Sequence, residues 1–305
     1  MFRRILVPLD GTKRAEEAIP FARELAASPE AQVFLLHVEP ANAEVMDQIA
    51  IDNRLEAIAT ELRADGITAR IVTEFGKAAA AIASAADLDK VDVIVLAPQP
   101  RNLLEGLRRP SVTANVLART GAPVLVVPPN VAKESAKLLT FGGAQVIVPL
   151  DGSPLAEKSL PLALRVARRY DRPLLLLRVI QPVQIIAAGP ETYPLVRDSH
   201  DMEVREAHQY LSLLRSRLQQ SENVSVQTEF SHGIPAEVIL AKAADKPGSV
   251  LVMSTHGRTG LARLLMGSVT LAVARKASIP LLIVPSAAGA ESASVDADTA
   301  EPAQP

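Results

Sequence analysis

The sequence contains no cysteine and no tryptophan, and aromatic residues make up only 3% of its 305 residues. Without thiols, a disulfide framework, a thiolate metal site, an iron–sulfur cluster and a cysteine nucleophile are all excluded. So few rings disfavour a base-stacking platform for single-stranded nucleic acid, and also an interface anchored on Trp and Tyr.

The sequence also lacks an excess of charge of one sign and long apolar runs. The 32 Lys and Arg residues oppose 34 Asp and Glu residues, for a net charge of −2, which gives no electrostatic argument for nucleic acid or an anionic membrane. No apolar run approaches the roughly 20 residues that cross a bilayer. Pro8 and Asp10 interrupt the first apolar stretch before it reaches the length of a signal-peptide core. We therefore expect a cytoplasmic protein with neither nucleic-acid nor membrane partners.

An internal repeat divides the chain into two halves, as its length also suggests. The segment ILVPLDG at residues 5–11 recurs as VIVPLDG at residues 146–152, an offset of 141. The segment PVLVVP at residues 123–128 recurs as PLLIVP at residues 280–285, an offset of 157. The second half therefore carries 16 additional residues, and we expect this insertion within residues 181–200, which are rich in Pro, Gly and polar residues.

Both halves alternate short β-branched runs with Ala-, Leu- and Glu-rich stretches of helical spacing. In the first half we predict strands near residues 4–9, 32–38, 68–74, 92–96 and 123–127 and helices at 12–27 and 44–64. In the second half we predict helices at 153–170 and 197–220. This alternation predicts an α/β fold with a doubly wound parallel sheet in each half. We predict domains at 1–128 and 145–285, a linker at 129–144 and a disordered tail at 286–305.

The first candidate ligand position is the turn after the first strand of the second half. Ligands of doubly wound sheets bind beyond the carboxyl ends of the strands, which is where Asp151 lies. A carboxylate there can accept hydrogen bonds from ribose hydroxyls or base amino groups. Alternatively, Asp151 or Ser153 caps the helix that begins near Pro154, and the sequence leaves both interpretations open. The backbone at residues 178–180, after the second strand, can pair with a base edge.

The second candidate position, STHGRTGLARLLMGSVT at residues 254–270, is the most specific motif. Glycine backbone can form an anion nest, and a helix starting at Gly267 and Ser268 adds orphan N–H donors and partial positive charge. Hydroxyls of Ser268 and Thr270 and the cations Arg258 and Arg263 complete a predicted phosphate cradle. Each glycine by itself is also explained by a turn, and Ser268 by helix capping.

These motifs resemble the universal stress protein family, and the chain looks like a tandem member over nearly all of residues 1–285. ATP-binding members carry Gly-x2-Gly-x9-Gly followed by Ser or Thr; here Ser254, Gly257, Gly267 and Ser268 keep that spacing, with Ser254 replacing the first glycine. The resemblance implies two Rossmann-like domains of the adenine nucleotide alpha hydrolase-like type. It implies adenosine contacts from Pro149, Asp151, Val179 and Met253, and phosphate contacts from Gly257, Gly267, Ser268, Val269 and Thr270. The predicted nucleotide site also includes Leu150, Gly152, Ser153, Ser254, His256, Arg258 and Gly260, with ATP as the ligand, with or without Mg²⁺, and no metal bound by the protein.

The first half departs from this motif. At the offset of 157, Ala97, Pro100 and Pro110 take the positions of Ser254, Gly257 and Gly267. Proline has no N–H and a fixed φ, so we expect the first half to lack the phosphate loop while keeping Asp10, Ser111 and Thr113. Nucleotide binding is therefore expected mainly in the second half. The resemblance also implies that residues 123–128 and 280–285 pair the two halves about a pseudo-twofold axis, with a homodimer as a further step.

The function expected from the resemblance is that of an ATP-binding regulator or interaction module in the stress response, with protein partners that the sequence does not identify. The alternatives are an enzyme that uses an activated adenine nucleotide, for example in adenylyl transfer, and a scaffold that binds no nucleotide. No dedicated general base is evident, and no catalytic residue is assigned. Any ATP hydrolysis is expected to be slow, and phosphoryl transfer to Ser268 or Thr270 stays open.

Overall fold

The apolar runs of both halves form ten strands of one continuous sheet. The computed structural model describes residues 2–40, 45–99, 111–129, 144–181, 193–222, 224–256 and 266–285. The strands of the first half are β1 Arg4–Pro8, β2 Gln32–Glu39, β3 Thr68–Phe75, β4 Val93–Leu96 and β5 Val124–Val126. Those of the second half are β6 Val146–Pro149, β7 Leu174–Ile180, β8 Val226–His232, β9 Val250–Ser254 and β10 Leu281–Val284.

The strand order is β3-β2-β1-β4-β5 in the first half and continues as β10-β9-β6-β7-β8, the same order reversed. Pairing within each half is parallel, as the alternation predicts. The halves join where β5 and β10 pair antiparallel, with Leu125 opposite Leu282. The predicted pairing of these two strands is confirmed, and it relates the halves by a local pseudo-twofold axis.

Helices cover both faces of the sheet. They are α1 Lys13–Glu16, α2 Ile19–Leu25, α3 Val45–Ala64, α4 Ala78–Leu88, α5 Val112–Arg119, α6 Pro154–Glu157, α7 Leu160–Tyr170, α8 Tyr193–Glu222, α9 Pro235–Ala244 and α10 Ser268–Lys276. Ile5 and Leu6 are both fully buried, but Ile5 packs in the core beneath α3 and Leu6 in the core beneath α4. Such two-sided burial explains why the strands are continuous apolar runs rather than alternating ones.

The two helices predicted at 12–27 and 153–170 are each broken in two. The first breaks at residues 17–18 and the second at residues 158–159. Pro20 and Pro161 have no N–H to bond the carbonyl four residues earlier, and each lies in the first turn of the helix that restarts. The predictions of single helices are therefore wrong, and the cause is the same proline in both halves.

The predicted insertion is found in part. Residues 193–200 belong to α8, which is 30 residues long against 20 for its counterpart α3. Residues 182–192, most of the predicted linker and the predicted tail at 286–305 lie outside the described residues. Within the described ranges, no helix combines the length and the apolar character needed to cross a membrane.

Candidate functional site

A cavity of about 450 Å³ opens at the carboxyl ends of β6, β7 and β9, between the starts of α9 and α10. Its wall includes the predicted residues Pro149, Leu150, Asp151, Val179, Met253, Ser254, His256, Gly267, Ser268, Val269 and Thr270. Two separate segments chosen from sequence, near residue 150 and near residue 254, thus meet at one cavity. Gly152 and Ser153 are not among its lining residues, and Gly257, Arg258, Gly260 and Arg263 lie outside the described residues.

The turn after β6 combines both of the interpretations that the sequence leaves open. Asp151 Oδ1 accepts a hydrogen bond from the Ser153 N–H at 2.9 Å, and Ser153 Oγ accepts one from the Ala156 N–H at 3.1 Å. Ser153 is therefore the N-cap of α6, whereas the carboxylate of Asp151 lies on the cavity wall. Gly152 between them has φ +82°, a conformation that glycine adopts without steric cost.

Gly267 permits an unusually close approach between the end of β9 and the start of α10. Its N–H donates to the Thr255 carbonyl at 2.8 Å, and a Cβ on this glycine would lie 3.1 Å from the same oxygen. Gly267 is also the N-cap of α10, and as a glycine it has no side chain with which to cap the helix. The first-turn residues of α10 line the cavity, so their orphan N–H groups are available to an anion there.

The hydroxyls of this region have different roles. Thr270 Oγ1 donates to the Ser254 carbonyl at 3.0 Å, and Ser254 Oγ donates to the His256 carbonyl. Because its proton is used inside the protein, the Thr270 hydroxyl cannot donate to a phosphate oxygen while that bond is kept. Ser268 is exposed and has no hydrogen bond to the described residues, so its hydroxyl can donate to an anion.

The cavity wall also contains residues that were not predicted. These are Ala156, Leu177, Arg178, Gln181, Glu203, Pro235 and Ile239. Leu177, Ile239 and Met253 provide apolar surface of the kind that suits a base ring. Arg178 is only 4% exposed and donates to the Leu150 carbonyl at 3.3 Å. A buried arginine in a run of leucines was a visible signal, but α8 gave no sequence indication that Glu203 reaches this wall.

A polar cluster behind the cavity ties α6 to α8. Tyr210 Oη donates to Glu157 Oε1 at 3.0 Å, and Arg217 Nη2 donates to Glu157 Oε2 at 3.1 Å. Burial raises the pKa of the Tyr210 hydroxyl above its ordinary value, and its hydrogen bond to the Glu157 carboxylate raises it further. Tyr210 therefore stays protonated and acts as a donor across the physiological range.

The corresponding region of the first half is crossed by its own side chains. Arg14 Nε donates to the Pro98 carbonyl at 3.1 Å, its Nη2 donates to the Val127 carbonyl, and its Nη1 pairs with Glu17. Gln99, at the position of His256, donates to Thr12 Oγ1 at 3.0 Å. At the offset of 141, the second half has Leu155 in place of Arg14, so this cross-link is specific to the first half.

The start of α5 is likewise bonded by a side chain of the first half. Ser111, which aligns with Ser268, is the N-cap of α5, and its Oγ accepts from the Ala114 N–H at 3.1 Å. A hydroxyl thus caps α5, whereas Gly267, the N-cap of α10, has no side chain to do so. Pro100 and Pro110 lie outside the described residues. Among the residues that are described, no group of three or more His, Asp or Glu side chains is placed to hold a metal ion.

Comparison with known proteins agrees with this architecture. The sequence model of the universal stress protein family matches residues 1–128 and again residues 144–285. The chain therefore belongs to the universal stress protein family, and the two matches make it a tandem member.

Individual relatives support this assignment. A universal stress protein of Methanocaldococcus jannaschii is 28% identical over 141 residues, which cover 46% of this chain and 81% of that protein. One of Mycolicibacterium smegmatis is 26% identical over 303 residues, covering 92% of this chain and 96% of the relative. The crystal structure of a universal stress protein from Archaeoglobus fulgidus superposes with a TM-score of 0.64 over 92% of this chain and 94% of that one, at 17% identity, and so shares the fold.

Proposed function

We propose that the second half binds ATP in the cavity and that the protein is a nucleotide-dependent regulator or interaction module of the stress response. The observation that carries this proposal is that the α10 N-terminus, whose N-cap Gly267 has no side chain, and Asp151 line the same cavity. Helix N-termini bind phosphate through N–H groups and the helix dipole, and carboxylates at strand ends bind ribose hydroxyls. Membership of a family with ATP-binding members adds to this argument.

The lining residues suggest how ATP is placed. The base fits among Leu177, Ile239 and Met253, and the ribose lies at Asp151. The phosphates lie at the start of α10, where Gly267 leaves room for backbone approach and Ser268 adds a hydroxyl donor. A Mg²⁺ ion, if bound, would be carried by the phosphates.

The regulatory mechanism is a linkage between sites. ATP in this cavity contacts β6, β9 and α10 together, so its binding stabilises their relative position. A partner protein that recognises that arrangement binds more tightly in the presence of ATP, and by reciprocity raises the affinity for ATP.

The test is calorimetric titration of the full chain with ATP. Asp151→Asn and Ser268→Ala are each expected to weaken binding about tenfold, because a charge-assisted hydrogen bond or a phosphate contact is lost. The matched variants Asp10→Asn and Ser111→Ala, at the aligned positions of the first half, are expected to leave the affinity unchanged. Absence of ATP binding by the wild type at millimolar concentration contradicts the proposal.

A turnover assay separates a regulator from an enzyme. We expect no release of pyrophosphate from ATP in the presence of small-molecule acceptors, and slow release of phosphate at most. Rapid pyrophosphate release would instead assign the protein to the enzymes that use an activated adenine nucleotide.

A further inference from the structure

The same tie between a short helix and a long helix occurs in both halves. In the first half, Glu16 of α1 accepts from Arg54 Nε at 2.8 Å and Nη2 at 2.7 Å. In the second half, Glu157 of α6 accepts from Tyr210 and Arg217 of α8. Glu16 and Glu157 align at the offset of 141, and each carboxylate binds the helix that covers the same face of its half. The carboxylate is thus retained although its partners have changed.

The tie in the second half lies next to the proposed ribose contact. α6 has only four residues, too few to be stable alone, so its position depends on what holds its two ends. At one end, Ser153 caps the helix and donates its N–H to Asp151. At the other end, Glu157 is held by α8. The orientation of the Asp151 carboxylate is therefore linked, through one short helix, to the position of α8.

α8 is also part of the cavity wall. Glu203 of this helix lines the cavity together with Asp151 and the buried Arg178. The Arg178 guanidinium lies 3.6 Å from where a Cβ on Gly152 would stand, directly against the turn that carries Asp151. Glu157 thus joins two walls of one cavity.

We propose that Glu157, Tyr210 and Arg217 are positioning residues that hold the Asp151 carboxylate at the ribose hydroxyls. This inference rests on the proposed binding of ATP to the second half. None of the three residues is needed to touch the nucleotide. Their effect on affinity passes through α6, and so it depends on the ligand having hydroxyls for Asp151 to bind.

The experiment combines Glu157→Gln with two ligands, ATP and 2′,3′-dideoxy-ATP, in calorimetric titrations of the full chain. Glutamine has nearly the same size, but it is uncharged and has one acceptor oxygen in place of two for Tyr210 and Arg217, so the tie is weakened with little change in volume. We expect Glu157→Gln to weaken ATP binding about tenfold, within the range of couplings between contacting groups. We expect its effect on 2′,3′-dideoxy-ATP to be within about twofold, because that ligand offers nothing to the misplaced carboxylate.

Two further variants complete the design. Arg54→Gln breaks the equivalent tie in the first half and is expected to leave both affinities unchanged. Tyr210→Phe removes one hydroxyl from the second-half tie with almost no change in shape. This variant replaces Glu157→Gln in the experiment if Glu157→Gln does not fold. It is expected to show the same selective loss for ATP, at a smaller magnitude.

The outcomes are distinct. A selective loss for ATP supports the inference. An equal loss for both ligands indicates general damage to the domain and overturns it, as does no loss, or a wild type that binds both ligands equally well. A wild type that binds neither ligand overturns the proposed function and this inference with it.

Discussion

At the scale of single residues, Gly267 is a position where a side chain has no room. A methyl group on it would stand 3.1 Å from the Thr255 carbonyl oxygen, which belongs to the backbone and cannot rotate away. We expect Gly267→Ala to lower the free energy of unfolding by about 1–2 kcal/mol, as overpacking does, and to weaken ATP binding. Gly121→Ala is the control, because nothing lies within 4 Å of its added methyl group. Chemical denaturation measures the free energy of unfolding of both variants, and equal values contradict the argument.

The ion pair of Glu16 and Arg54 makes a small, pH-dependent contribution. The hydrogen bond from Arg54 holds the pKa of the Glu16 carboxyl below its ordinary value. A lowered pKa in the folded state stabilises the protein above the ordinary carboxyl range, and this stabilisation is lost as the pH falls through the folded pKa. Because Arg54 is half exposed, we expect Glu16→Gln to cost less than about 1 kcal/mol at pH 7.

The measurement is the free energy of unfolding of wild type and Glu16→Gln between neutral and acid pH. The difference between them is expected to shrink as the pH falls below about 4.3, the ordinary value for glutamate. A difference that grows on acidification would mean that Glu16 is not stabilised in its charged form.

Some residues of the candidate site could be placed from the sequence, because the course of the backbone alone determines their position. Others could not, because tertiary packing determines theirs. Asp151 and Gly267 follow directly from the repeat and the glycine spacing, because a strand end and a helix start leave few places for them. Glu203 reaches the cavity through the way α8 packs against the sheet, which the sequence does not reveal. The direction of the Thr270 hydroxyl, bonded inward to Ser254, depends on a contact 16 residues away and has no sequence signal.

At the scale of elements, the starts of α5 and α10 show one aligned serine in two roles. Ser111 caps α5, so we expect Ser111→Ala to cost about 1 kcal/mol of stability. Ser268 is one residue inside α10 and caps nothing. We expect Ser268→Ala to change stability by less than about 0.5 kcal/mol while weakening ATP binding. Thermal unfolding with and without ATP tests this pair, and an equal loss of stability in both variants contradicts the assignment of roles.

The helical breaks at residues 17–18 and 158–159 show a feature that the apolar spacing of the sequence does not predict. Proline is tolerated in the first turn of a helix, so Pro20 and Pro161 do not interrupt the apolar spacing of the stretches around them. What they remove is a hydrogen bond, and this loss divides each predicted helix in two. The strands, by contrast, agree with prediction to within a residue or two, because continuous apolar runs end at polar residues or proline.

At the scale of the whole molecule, the β5–β10 pairing makes the two halves one sheet. Leu125 and Leu282 lie opposite each other there and are both buried. We expect Leu125→Ala to cost about 2–5 kcal/mol, as large-to-small changes in a core do, and to convert a single calorimetric transition into two. Leu88→Ala, at a position 76% exposed, is the control and is expected to have little effect. Two transitions in the wild type would show that the junction does not couple the halves.

The two halves keep one fold and differ at the ends of their strands. In the first half, Arg14 and Gln99 join strand ends to the α1 turn, and Ser111 caps α5. In the second half, the equivalent positions are Leu155, His256 and Ser268, and His256 and Ser268 line the cavity. The repeat makes the common fold predictable, but the bonds of Arg14 and Gln99 join residues more than 80 positions apart and have no sequence signal.

The antiparallel junction determines where the strand ends of the two halves lie. Because strand direction reverses between β5 and β10, the carboxyl ends of the two halves lie on opposite margins of the sheet. One margin bears the cavity for which we propose ATP binding, whereas at the other margin Arg14 bonds the carbonyls of Pro98 and Val127. A partner protein that contacts both margins would bind one surface that includes the ATP site and one that does not. Its affinity would then depend on whether ATP is bound.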